Sequence, residues 1–229
     1  MKQPKLERGK EELISTGGNY LCGPILWEQG RTPLPADFQT RREDSISDRD
    51  ILMTMTGMLR DGRSDFANVN QYAADTVFTH AFGIDDLPSE ATLRQRLDEL
   101  PQERSHQALR RLNESILAGR NFGTVRAGHL DLVPVDIDVS PLDNSGSNKQ
   151  GVSYTYKKHD GYAPVFAYVG TEGHMLAHEL RPGKQHSQEG TPRFIGSCAD
   201  TLKRLGLGGR CLLRLDSGHD AEENFGRFG

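Results

Sequence analysis

The chain reads as an α+β, or mixed α/β, protein with a helical first part and a sheet-bearing second part. Three observations predict this. Apolar residues recur at helical spacing from about residue 47 to residue 119. After Gly128 the spacing shortens towards two. The later strands are then interrupted by one amphipathic stretch before a final apolar run. The change of period divides the chain into residues 1–128, a strand or loop followed by a helical region, and residues 129–229, the sheet-bearing part.

The first forty residues carry Gly17-Gly18, Pro24, Gly30, Pro33 and Pro35, and read as a short strand or hairpin followed by a loop. Ser47 or Asp48 caps a helix running through Met58, with Ile51, Met55 and Met58 on one face. A second helix follows Ser64 or Asp65 and uses Phe66, Val69, Ala73, Val77 and Phe78. Ser89 caps a third, with Leu93, Leu97 and Leu100 as its stripe, and a fourth runs from Pro101 to Gly119. Strands are predicted near 130–140, 152–157, 163–170 and 174–181, a helix over 191–206, and a strand over 211–216. "GLGG" at 206–209 lies between helix and strand, the reverse of a nucleotide-binding order, and reads as a helix stop.

Composition narrows the class. The net charge is −4, with 28 Lys and Arg against 32 Asp and Glu, and both parts are slightly acidic, so neither is a basic domain. Cys22, Cys198 and Cys211 form no CxxC pair and suggest neither a zinc ribbon nor a disulfide framework. The N-terminus lacks the apolar stretch of a signal peptide, and no run is long enough to span a membrane. The expectation is a soluble cytoplasmic protein.

"VPVDIDVSPLDNSGS", residues 133–147, raises the chemical question. Val133, Val135, Ile137 and Val139 alternate onto one strand face and place Asp136 and Asp138 together on the other. Carboxylates in an apolar strand need a counter-charge, a hydrogen-bond partner or a cation. A further carboxylate, Asp216, ends the strand in "CLLRLDSGHDAEEN", where mixed α/β folds place ligands. Alone it also fits a turn former or helix cap. Two acids brought to one sheet edge suit a hard cation such as Mg²⁺ or Mn²⁺.

Those residues, with "SYTYKKHDGYAPVFAYVGTEGHMLAHELRPGKQHSQEGTPRF" between them and "LPSEATLRQRLDEL" upstream, resemble the DDE transposases of bacterial insertion sequences, in the group called transposase DDE group 1. The resemblance implies an RNase H-like core, partial here. It also implies metal-assisted phosphoryl transfer on DNA at the terminal inverted repeats of an element. Asp138 matches the first acid of the family, in Asp138-Val139-Ser140, and Asp216 matches the second. Asp136 is the alternative to Asp138 or a partner to it, so Asp136, Asp138 and Asp216 form the expected metal set. The family's third acid, a Glu on a later helix, has no counterpart, since Glu222 and Glu223 follow Asp216 too soon. The expectation is therefore a truncated copy that does not cleave DNA alone. The alternative is a non-catalytic DNA-binding or self-associating fragment that competes with intact transposase, and a nuclease of the same fold ranks last.

Residues 94–126 carry seven arginines against four acids. Arg94, Arg96, Arg110 and Arg111 are the candidate phosphate contacts, against a solvated helix face with pairs such as Arg110–Glu114. The helical region would dock DNA ends or a second copy in a homodimer. His174 and His178 have a zinc-like spacing but lie on a predicted strand, where four residues span too far for easy chelation. Tyr154, Tyr156, Tyr162, Phe166 and Tyr168 fall at alternate positions and read as sheet packing, with base stacking as the alternative.

Overall fold

The computed structural model describes residues 18–22, 46–100 and 102–215. The chain divides into two compact units between Leu112 and Asn113, ahead of the Gly128 boundary read from the change of period. The reason is packing: Leu117, near the end of the fourth helix, is buried in the core of the second unit.

In the first unit, α1 (Asp48–Arg60) starts at Ser47, whose hydroxyl accepts the Asp50 N–H at 3.0 Å. A 3₁₀ helix (Phe66–Tyr72) and α2 (Thr76–Phe82) follow, where the sequence predicted one helix. Each has its own cap, Asp65 accepting from the Ala67 N–H and Asp75 from the Phe78 N–H, so the chain starts twice. Next come α3 (Glu90–Glu99), capped by Ser89, and α4 (Gln102–Leu117), whose last residues, from Asn113, belong to the second unit. Leu93 is fully buried and Leu97 packs beside it, while Leu100 terminates α3. Gly57 lets α1 and α2 approach, because a Cβ there would stand 2.7 Å from the Phe78 ring. Buried Asp50 accepts the N–H groups of Asp85 and Asp86 at 3.3 and 3.4 Å, holding the loop ahead of α3. Of the first forty-five residues only 18–22 are described, and residues 19–22 are helical; the rest of the hairpin and loop expected there lies outside the described residues.

The second unit is built on a five-stranded sheet. β1 (Val125–Ala127) turns back at Gly128 into β2 (Leu130–Val139). β6 (Val165–Val169) pairs antiparallel with β2, and β7 (His174–Glu179) antiparallel with β6. α5 (Thr191–Arg204) then leads to β8 (Cys211–Leu215), which pairs parallel with β2 on register Ile137↔Leu215. Three antiparallel strands, a crossover helix and a parallel fourth strand beside the first match an RNase H-like core. Val133, Val135, Ile137 and Val139 are buried against Val165, Ala167 and Val169 and against Phe194, Ile195, Cys198 and Leu202 of α5. α5 is amphipathic, and burying this stripe is what holds it to the sheet.

Between β2 and β6 the chain makes a separate sheet of β3 (Leu142–Asp143), β5 (Asp160–Tyr162) and β4 (Ser153–Tyr154), in that order. The strand expected over 152–157 is thus two residues long and ends in a turn. Among the described residues no helix is long and apolar enough to cross a membrane.

Candidate active site

The alternation on β2 sorts its side chains by face. Val135, Ile137 and Val139 are 1%, 2% and 7% exposed, whereas Asp138 is exposed and Asp136 half-buried on the opposite face. Register continues that face sideways: Asp136 lies opposite Tyr168 on β6 and Arg214 on β8, and Asp138 lies opposite Phe166.

The two carboxylates are handled differently. Asp136 accepts a fork from Arg214, with Nε to Oδ1 and Nη2 to Oδ2 both at 2.5 Å. This bidentate geometry is the strongest form of a guanidinium–carboxylate pair, and it holds the Arg214 guanidinium further into its charged form. Asp138 is met by the Ser140 hydroxyl, which donates to Oδ2 at 3.2 Å. One residue further, the Tyr156 hydroxyl donates to the Val139 carbonyl at 3.0 Å, tying the small sheet to the end of β2.

β2 and β8 run in parallel, so their carboxyl ends lie side by side, and α5 begins at the end of the sheet where β7 finishes. Arg181, 2% exposed, fixes that connection, with Nε donating to Glu179 at 2.9 Å and Nη1 to the Thr191 hydroxyl at 3.1 Å. Asp216, the residue after β8, lies outside the described residues, as do Glu222 and Glu223.

Asp138 suits a hard cation: it is an accessible carboxylate that accepts from the Ser140 hydroxyl, and among the described residues no cationic side chain is bonded to it in the way Arg214 is bonded to Asp136. Asp136 is a poorer donor, because both of its oxygens already accept from Arg214. Among the described residues no group of three His, Cys, Asp or Glu gathers into a metal site, and His174 and His178 stand on β7 without a third donor.

The four candidate arginines separate. Arg96 bonds the Ile46 carbonyl at 2.9 Å and pairs with Asp48, tying α3 to the start of α1. Arg94 pairs with Glu90 at 3.3 Å and lies over the Phe66 ring at 4.7 Å. Arg110 and Arg111 are exposed on α4. Glu114, expected beside Arg110, accepts from Arg204 Nη2 at 2.5 Å and Nε at 3.1 Å. Sequence reasoning missed Arg214, and it read Tyr156 as sheet packing with base stacking as the alternative. Arg214 was signalled by a lone cation in the apolar run "CLLRL".

No curated protein and no solved structure matches the chain significantly. Residues 34–225 match the family described as Transposase DDE domain group 1, a span that takes in α1 to β8 and the Asp138 face. The chain therefore belongs to the transposase DDE domain group 1 family, whose members are DNA transposases of mobile elements working by phosphoryl transfer.

Proposed function

We propose that this chain is a transposase subunit whose second unit bears a divalent-metal site for cleavage and strand transfer at element ends, with Asp138 and Asp216 as ligands. The observation that carries the reading is the parallel pairing of β2 and β8. Leu215, the last residue of β8, pairs with Ile137, the residue before Asp138. A strand continued by one residue would set Asp216 beside Asp138.

Mg²⁺ or Mn²⁺ ions bound there would neutralise charge on the attacking and leaving oxygens of an in-line displacement. The protein's part is to hold and aim the oxygen donors. Asp138 offers a carboxylate on a rigid central strand, and the Ser140 hydroxyl fixes its rotation. Arg214 holds Asp136 in a neutral pair, so the face does not accumulate uncompensated negative charge next to Asp138. In the first unit, Arg110 and Arg111 are the residues we assign to phosphate contact, while Arg94 and Arg96 serve mainly to brace α3.

The test is affinity cleavage with Fe²⁺ and ascorbate, in which a bound iron cuts the backbone beside its ligands. The reading expects cuts near Asp138 and Asp216 that Mg²⁺ suppresses and that Asp138→Asn abolishes. Cuts elsewhere, or cuts indifferent to Asp138→Asn, would overturn it.

A further inference from the structure

The small sheet between β2 and β6 carries a surface that the metal site does not use. Tyr154 and Tyr156 are each 62% exposed, on either side of Thr155, which is 2% exposed. Thr155 closes the turn, its N–H and its hydroxyl both donating to the His159 carbonyl at 2.9 Å. Lys158 within that turn adopts φ +67°, a left-handed conformation uncommon for a side chain of its size. The Lys157 ammonium lies 5.3 Å from the centre of the Tyr156 ring. From residue 149 to residue 159 the chain holds Lys149, Lys157, Lys158 and His159, and the one acid of the hairpin is Asp160, opposite Tyr154 on β5.

This turn is held in place. A Cβ on Gly183 would stand 2.1 Å from the Ser153 carbonyl oxygen, so the loop after β7 lies directly against β4. The Lys184 N–H donates to the Ser153 hydroxyl at 2.9 Å. The Tyr156 hydroxyl, bonded to the Val139 carbonyl, anchors the turn one residue from Asp138. Of the two exposed rings, Tyr156 is therefore held at a fixed place, its hydroxyl on the residue that follows Asp138.

We propose that the β4–β5 hairpin is a single-stranded DNA-binding arm, with Tyr154 and Tyr156 stacking on unpaired bases and Lys149, Lys157 and Lys158 neutralising the adjoining phosphates. Exposed rings interleaved with cations are the chemistry that holds single strands, because every base has a face to stack and every linkage a charge. Lysines are depleted from protein–protein interfaces, which makes a protein partner a poorer fit. Bases inside a duplex already stack on one another, so the arm favours a strand that is open beside Asp138. The choice of DNA as the nucleic acid rests on the function proposed above.

The test is fluorescence anisotropy with the full chain and a labelled oligothymidylate of about ten nucleotides, within the usual site size, in EDTA. The arm predicts tighter binding to this strand than to a duplex of equal length. Tyr154→Ala should weaken it about fivefold or more, the effect of losing one stacked base, and Tyr154→Phe should bind as the unaltered chain does. Tyr154 is exposed, so its variants should melt normally; Tyr156→Phe, which loses the bond to Val139 but keeps the ring, is the second probe and should retain at least part of the preference for the single strand. Replacing Lys157 and Lys158 by Ala should flatten the log–log salt slope by about 1.4, at about 0.7 per contact. Equal affinity of Tyr154→Ala and the unaltered chain, or a preference for duplex, would overturn the proposal. Metal is absent throughout, so the metal-site reading can fail while this result stands.

Discussion

Arg214 and Asp136 are joined across the parallel pair β8 and β2 by two hydrogen bonds of 2.5 Å, on the same sheet face as Asp138. The pair distinguishes two carboxylates that strand alternation alone presents as equivalent. It follows that Arg214→Met should release Asp136 as an additional oxygen donor. Calorimetric titration with Mn²⁺ should then show tighter binding or a further ion. The thermal melt should hardly move, since the side chains are 50% and 42% exposed and water screens such a pair. Unchanged ion binding would mean that Asp136 does not face the ion.

Gly183 is predicted to be intolerant of any side chain. Its missing Cβ would meet two backbone oxygens, Ser153 at 2.1 Å and Gly161 at 2.4 Å, and backbone cannot rotate away. Gly183→Ala should cost about 1–3 kcal/mol, the usual range for overpacking. Urea denaturation measures the loss, and faster hydrogen exchange over residues 153–162 would locate it.

Much of this was legible in the sequence, and the gaps have physical causes. The alternation on β2 fixed which side chains face the core, and Asp138 falls on the open face as the period requires. Ser47 and Ser89 cap α1 and α3 as their hydroxyls and positions suggested. The single helix expected after Asp65 breaks in two because Asp75 is a second cap, a local competitor that an apolar stripe does not reveal. The fate of Asp136 depended on strand order, since Arg214 is 78 residues away in sequence. Tyr154 and Tyr156 were read as sheet packing, but β4 is too short to cover them.

The first unit should lose stability in alkali. Tyr72 is 5% exposed and donates to Asp61 at 3.0 Å, and burial, followed by that acceptor, pushes its phenol from 10.0 up to about 12. A folded pKa above the unfolded one gives stability that is complete below pH 10.0 and lost as pH rises to about 12. The loss is on the order of 2–3 kcal/mol, at about 1.4 kcal/mol per unit. Denaturation at pH 9 and above should show this decline, and Tyr72→Phe should flatten it.

DNA binding separates the arginines. If Arg110 and Arg111 contact phosphates, replacing both by Ala should reduce the log–log salt slope for duplex DNA by about two, at about 0.9 per contact. All sequences should weaken nearly equally. Arg96→Ala should instead lower the unfolding midpoint, because its guanidinium joins α3 to Ile46 and Asp48. A slope unchanged by the double substitution would move the DNA contact off α4.

The central claim is that Asp138 holds a divalent ion, and Mn²⁺ binding followed by electron paramagnetic resonance tests it most directly. The unaltered chain should bind Mn²⁺ in competition with Mg²⁺. Asp138→Asn, similar in shape and able to keep the contact with Ser140, should weaken binding at least about tenfold, a loss that even an outer partner of a metal ligand can cause. Asp216→Asn should do the same. Undiminished Mn²⁺ binding by Asp138→Asn would contradict the assignment of the site.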